Sequence, residues 1–494
     1  MNAANGLSAL MLASRTEQTA PLLEHSVSTA TDGDFGLSKT ASIPAMTSAN
    51  GIIRLPNDAT EADRLMALCI DFDQYPSISM RETYEPIKSN RNRELYLPVL
   101  KSMVSKHLGL RPQPTMLTHI VTTRCNYSCH FCSFADSLNA KTNELSLAEI
   151  ESAYASIGDS LNTIVYSGGE TTLNRQLPEI IEAAYRLTPV KSVYIISNAW
   201  KPELIFQITH RIMQRCPDLH LTWSLSIEGP KPVNNATRHT KLPTWDAWQN
   251  TVDTAEGLKR MRTVFGYKEL DVQMCTVCSP SNAHLMMDWY AMVRDVLQPD
   301  KWNLNLMRRS VQMSDSQLPS FDQRRQQRVL EAFEQSYLEV TERVRKDVFS
   351  GRLRFLYHTQ NPLDGAVKSA LDLLSQEENR RVVLDERAPG ERLFCCQAGS
   401  YGAFIGSEGE VSGCEEFAMN PTANKTFGNL RDPKIKGDFQ KIWHSKTARK
   451  YRKLVDKAPE CRGCTLESQK NYPSILVSFN SIAAALKLAR KIPV

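Results

Sequence analysis

The chain has 494 residues, 41% hydrophobic and 23% charged, enough apolar material for about three domains at roughly 150 residues each and too much for wholesale disorder. Its 59 basic and 54 acidic side chains leave a formal charge of +5, which gives no case for a nucleic-acid or membrane partner. No apolar run reaches the roughly 18 residues of a membrane span, and the N-terminus lacks the basic-then-apolar order of a signal peptide, so the expected compartment is the cytoplasm.

Residues 1–50 are rich in Ser, Thr and Ala without a sustained period and predict a disordered arm. Residues 51–114 predict a helical segment, with Leu65, Leu68 and Cys69 at helical spacing, ended by Pro112 and Pro114. A strand–helix alternation fills 115–314. Strand-like runs lie at Met116–Thr123, Thr163–Ser167, Ser192–Ser197, His220–Ile227, Glu269–Val277 and Lys301–Met307. Helical patterns lie between them, such as Ser146–Ile157, opened by a Ser146/Glu149 capping box, and Leu177–Leu187. Alternation of this kind predicts an α/β fold with a parallel sheet, closed or partly closed, and a site at the strands' C-terminal ends. A charged, helical bridge is expected over 315–393, with Phe333, Tyr337, Val340 and Val344 along one face. A C-terminal unit follows at 394–470, and a helix with an apolar face ends the chain at 471–494.

The twelve cysteines cluster, three of them at Cys125, Cys129 and Cys132 and five beyond residue 394. In a long chain without secretion signals they point to metal or chemistry rather than a disulfide framework. Cys125, Cys129 and Cys132 are spaced C-x3-C-x2-C in a loop that follows the first strand. Three thiolates leave a fourth coordination position open, which suits an iron–sulfur cluster that binds a further ligand at one iron. A zinc site completed by His130 or His119 is the alternative.

With Phe131 before the third cysteine, this loop resembles that of radical S-adenosylmethionine (SAM) enzymes. The resemblance implies a [4Fe–4S] cluster held by the three cysteines, with SAM on the unique iron. Gly168-Gly169-Glu170 at the end of the second strand is similar to the family's Gly-Gly-Glu motif, which implies that it receives the SAM amino group. Thr171 stands where many members have Pro. Two glycines allow close approach to a ligand, and the carboxylate accepts from an ammonium. Thr222, Ser224 and Ser226 alternate with Trp223, Leu225 and Ile227, giving the fourth strand a polar face that suggests a wet, ligand-holding interior. The run resembles the family's Ser-Ile-Asp-Gly segment with Glu228 in place of Asp. The resemblance implies that Ser226 and Arg238 contact the SAM ribose or carboxylate, and gives Asn198 a weaker match. Gln273, Asn303 and Asn305 are candidate substrate contacts. Cys275 and Cys278, three apart on a strand, point to opposite faces and read as buried thiols.

Near the C-terminus, Phe404–Val411 reads as a hairpin around a Gly-containing turn that brings Cys414 back towards Cys396. Cys461 and Cys464 add a C-x2-C pair. Four thiolates fit zinc or a second [4Fe–4S] cluster. The pattern resembles the SPASM and twitch extensions of radical SAM enzymes, the shorter twitch form more closely, with Cys395 as an alternative to Cys396. The fold implied is a partial (β/α)6 TIM-like barrel with a twitch/SPASM-like cluster domain and helical additions. The activity implied is reductive cleavage of SAM and hydrogen abstraction from a C–H bond. The expected outcome is net oxidation of a small metabolite, with a ribosomally made peptide as the alternative and flavodoxin or ferredoxin as electron donor. A non-catalytic zinc scaffold is the reading from another class.

Overall fold

The computed structural model describes residues 84–87, most of 112–307, 323–353, most of 369–380, most of 396–455 and 487–492. The expected arm, nearly all of the 51–114 segment, most of the final helix, Cys395, Cys461 and Cys464 lie outside the described residues.

Six parallel strands form the body of the sheet. They are β1 (Met116–Thr122), β3 (Thr163–Gly168), β4 (Ser192–Ser197), β5 (His220–Ser226), β7 (Leu270–Cys278) and β8 (Lys301–Leu306), hydrogen-bonded in that order. Helices α1 (Leu147–Ile157), α2 (Leu177–Leu187), α3 (Pro202–Arg215) and α4 (Ala247–Phe265) cross between them. Every strand foreseen from alternation is present, within a residue or two at the ends. The capping box forms as read: the Ser146 side chain accepts from the Glu149 amide, and Glu149 accepts from Ser146 N–H at 2.8 Å.

One face of the sheet is packed by the helices. Leu117, Ile164, Val193, Leu221, Trp223 and Val272 are fully buried there, and the Trp223 indole donates to Thr209 of α3 at 2.8 Å. Across the other face, cross-strand partners run Tyr194, Thr222, Asp271; then Ile196, Ser224, Gln273, Lys301; then Ser226, Cys275, Asn303.

The sheet is larger than six strands and stays open among the described residues. The C-terminal hairpin of β9 (Gly402–Ile405) and β10 (Glu410–Ser412) turns through Gly406–Gly409, as read from the sequence. Sequence patterning did not reveal that β9 then pairs in parallel with β1, Met116 opposite Gly402 and His119 opposite Ile405. A short strand β11 (Gly428–Asn429) completes the order β11-β10-β9-β1-β3-β4-β5-β7-β8, and β8 and β11 remain its two edges. This is a mixed α/β sheet rather than a closed barrel. The bridge contains α5 (Gln323–Phe349), whose Tyr337, Val340, Val344 and Val348 are buried. None of the described helices is long and apolar enough to cross a membrane.

Candidate cysteine-loop site

The chain leaves β1 at Thr122 and enters the cysteine loop at the C-terminal end of the parallel strands. Asn139 clamps the loop from its far end. It adopts φ +58°, a left-handed conformation that Asn tolerates better than most residues. Its N–H donates to Thr123 O and its side-chain oxygen accepts from Cys125 N–H, both at 2.9 Å. Glu144 accepts from the Thr122 hydroxyl at 2.5 Å and from Arg124 at 3.2 Å.

The middle of the loop is a strand. β2 (Tyr127–Cys129) pairs antiparallel with β6 (Arg238–Thr240) in a separate ribbon, with Cys129 opposite Arg238. Each strand has only three residues, too few for periodicity to betray it. The pairing places Arg238 beside the cysteines although they are far apart in sequence. Phe131 is half-buried against the core.

Gly168 and Gly169 have a structural duty. A Cβ on Gly168 would stand 2.1 Å from Thr122 O, and one on Gly169 would stand 2.2 Å from Arg124 O. Gly169 N–H donates to Thr122 O at 2.9 Å and Glu170 N–H to Arg124 O at 2.7 Å. The close approach expected of a ligand is here made by the backbone of the cysteine loop.

Glu170 is fully buried. One carboxylate oxygen accepts from the Thr172 and Ser197 hydroxyls at 2.6 and 2.8 Å, and the other from Asn198 N–H at 2.6 Å. The Trp200 indole donates to the same Thr172 hydroxyl at 2.9 Å. Asn198 continues outward, its amide donating to the Asn126 side-chain oxygen at 2.9 Å. The Gly-Gly-Glu turn, the end of β4 and the cysteine loop are thus one hydrogen-bonded assembly. Sequence reasoning missed Thr172, Trp200, Asn126 and Asn139. For Thr172 a signal existed, since a hydroxyl two residues after a strand-end carboxylate favours local capping.

Glu228 and Arg238 form a buried ion pair at 2.6 Å. The second Glu228 oxygen accepts from Val277 N–H at 2.7 Å, tying β5 to β7. Burial opposes the Arg238 charge, but the nearby Cys129 and Glu228 outweigh it and hold the guanidinium firmly protonated. Burial likewise pushes the Cys125 thiol up to about 11 and the Cys132 thiol to about 12.

Ser226 is half-exposed at the strand end, opposite Cys275. The expected wet interior is corrected below it: Thr222 and Ser224 are buried, and Ser224 accepts from Gln273 at 2.9 Å. Cys275 is half-exposed on this face rather than buried. Its sulfur accepts from Asn305 at 3.2 Å, with the Asn303 amide at 3.9 Å. Cys278 lies on the helix-packed face, fully buried. His119 is also on that face, bonded to the Tyr154 hydroxyl at 2.7 Å, so it is not placed to complete a zinc site. His130 lies outside the described residues.

In the C-terminal unit, Cys414 is buried and Cys396 half-buried. A Cβ on Gly413 would stand 2.3 Å from Gly399 N, so the chain segments carrying these two cysteines run against each other.

Among the described residues no group of three or more His, Cys, Asp or Glu stands in metal-holding geometry. The donors around the loop nevertheless fit an acceptor-rich group. Among the described residues, Asn126 Nδ2, the Tyr127 hydroxyl and Arg238 Nε are buried without a hydrogen-bond partner. Orphaned buried donors are costly and rare in a complete site, and thiolates with inorganic sulfides would supply acceptors.

A family model described as the radical SAM superfamily matches residues 119–269. A second, SPASM, described as an iron–sulfur cluster-binding domain, matches residues 395–465. Among solved structures, the chain is similar to native anSMEcpe with bound AdoMet and Cp18Cys peptide, at 16% identity and TM-score 0.46, over 72% of this chain and 86% of that one. It is similar to Streptococcus suis SuiB bound to precursor peptide SuiA, at 13% identity and TM-score 0.45, over 81% and 80%. It is also similar to BtrN in complex with AdoMet and 2-DOIA, at 13% identity and TM-score 0.31, over 74% and 99%. No curated protein matches the chain.

Proposed function

We propose that this chain, which carries a radical SAM domain and a C-terminal SPASM domain, is a radical SAM enzyme that oxidises a peptide substrate by abstracting hydrogen from a C–H bond. The observation that supports the radical chemistry is the assembly of Cys125, Cys129 and Cys132 with Glu170 and Arg238 at one end of the sheet, beside donors left unpaired among the described residues. The three cysteines would hold a [4Fe–4S] cluster. When bound there with SAM, that group supplies a 5′-deoxyadenosyl radical able to take hydrogen from an unactivated carbon.

The chain's own residues bind and orient. Glu170 receives the SAM ammonium; Thr172, Ser197 and Asn198 already hold its carboxylate in place. Arg238 offers Nε to an anionic group while Glu228 holds its other end. Ser226, with Asn198, completes the SAM contacts at the strand ends, and Phe131 packs beside the loop. Cys275, Asn303 and Asn305 face the region where the substrate would lie.

Cys396, Cys414, Cys461 and Cys464 would hold an auxiliary [4Fe–4S] cluster. Four thiolates leave no open iron, so its part is to accept an electron from the substrate. The C-terminal match is to SPASM, described as an iron–sulfur cluster-binding domain, and nothing in that match favours a small metabolite over a peptide. An external donor of the flavodoxin or ferredoxin type supplies the first electron.

The test is iron per chain after anaerobic reconstitution, with 5′-deoxyadenosine release, in wild type and a Cys125/Cys129/Cys132→Ala variant. Two [4Fe–4S] clusters give about eight irons, falling to about four, with nucleoside release abolished. Zinc retained in place of iron sinks the reading. Stimulation of nucleoside release by a small metabolite, with none by candidate peptides, would return the substrate to the first expectation.

A further inference from the structure

The hydrogen bonds around the cysteine loop do not balance. Three buried donors lack a partner among the described residues: Asn126 Nδ2, the Tyr127 hydroxyl and Arg238 Nε. The proposed function gives Arg238 an anionic ligand but leaves Tyr127 without a purpose.

Tyr127 is held by the ribbon. In an antiparallel pair, alternate residues share a face and directly opposed residues lie on the same side. Tyr127 and Cys129 therefore lie on one face of β2, and Arg238, opposite Cys129, joins them from β6. Exposure follows the pattern: Tyr127 and Arg238 are buried, whereas Ser128 and His239 between them are exposed. Tyr127 stands two residues from Cys125 and two from Cys129, and it shares the ribbon face with Cys129 and Arg238. A phenol is protonated at neutral pH and can donate, and Phe would pack the same space without burying an unpaired hydroxyl.

We propose that the Tyr127 hydroxyl donates a hydrogen bond to the sulfur of the iron–sulfur cluster at its Cys129 corner and raises the cluster's reduction potential. Hydrogen bonds to cluster sulfurs are among the determinants of that potential, because they stabilise the more negative, reduced state. The proposal rests on reading the loop as a cluster site, and its test separates the two.

The experiment uses the reconstituted full chain without SAM, which removes SAM as an acceptor for the hydroxyl. The N-terminal cluster signal is the one lost in the Cys125/Cys129/Cys132→Ala variant. If the variant shows the same signals as wild type, the cluster reading is overturned, and this proposal with it. With the signal assigned, the midpoint potential is compared between wild type and Tyr127→Phe. The expected result is unchanged iron content and a potential lowered by a several-fold change in the one-electron equilibrium, where tenfold is about 59 mV. Equal iron content with equal potential overturns the proposal while leaving the cluster reading intact. If the variant fails to load iron, the cluster-free proteins decide. An unpaired hydroxyl predicts that Tyr127→Phe melts at or above wild type, whereas a lower melting temperature means the hydroxyl has a protein partner and overturns the proposal.

Discussion

Arg431 grips Glu149 with two parallel hydrogen bonds, Nε to Oε1 at 2.6 Å and a terminal nitrogen to Oε2 at 2.9 Å. The same guanidinium donates to the carbonyls of Asn143 and Glu144 at 2.5 and 3.0 Å. Glu149 is also the capping residue of α1, so one carboxylate both starts a helix and receives the C-terminal unit. The hydrogen bond from Arg431 holds the Glu149 carboxyl down at about 2.

Arg431→Ala is therefore expected to cost about 1–2 kcal/mol, a figure kept low because both side chains are partly solvated. The pair's contribution is present above the unfolded carboxyl value of roughly 4.3 and fades as pH falls through about 2. Denaturant midpoints of wild type and variant should differ at neutral pH and converge in acid. Equal midpoints at pH 7 would refute the coupling.

The Glu228–Arg238 pair is deeply buried. Removing one partner of such a pair leaves an uncompensated charge. Glu228→Gln should lower stability by about 3 kcal/mol and reduce cluster retention, because β6 carries Arg238 to the cysteine loop. Thermal melting and iron content check both. A variant that melts like wild type would show that the pair is dispensable.

Gly169→Ala tests the contact between the Gly-Gly-Glu turn and the cysteine loop. The added methyl would meet backbone at 2.2 Å, and backbone cannot yield as a flexible side chain would. The expected cost is about 1–3 kcal/mol, with loss of iron out of proportion to loss of helix content. Retention of both iron and stability would mean the turn can move aside.

His220 lies between Glu269 and Asp271, at 3.1 and 3.0 Å. Burial disfavours its charge, but hydrogen bonds donated to the Asp271 and Glu269 carboxylates prevail and raise it to about 9. A raised histidine stabilises the fold below its unfolded value of about 6.5, and that contribution is lost as pH rises through about 9. Stability should fall between these limits by about 2–3 kcal/mol. His220→Gln should flatten this slope in pH-dependent denaturation; an unchanged slope would assign it to other groups.

The elements that sequence made legible are those whose signal is local. The Ser146/Glu149 capping box and the alternation of β5 both occupy a few consecutive residues, and both were readable. So was the hairpin of β9 and β10, through its glycine turn. Glu228 was noticed only as a departure from a motif; its bond to Arg238 depends on a ribbon of three-residue strands that no period could reveal. His119 entered only as a possible completing ligand of the alternative zinc site, and its position on the helix-packed face assigns it to Tyr154.

The sequence by itself determined the chemistry on offer: three thiols at C-x3-C-x2-C spacing, a carboxylate after two glycines, and five further cysteines near the C-terminus. Those are properties of covalent order, since side-chain type and short spacing are fixed along the chain. Only the tertiary structure decided which groups meet. It paired Cys129 with Arg238, Glu170 with Ser197 and Asn198, and β9 with β1. Such contacts join segments remote in sequence, and they are selected by burial and by the need of every enclosed donor and acceptor for a partner.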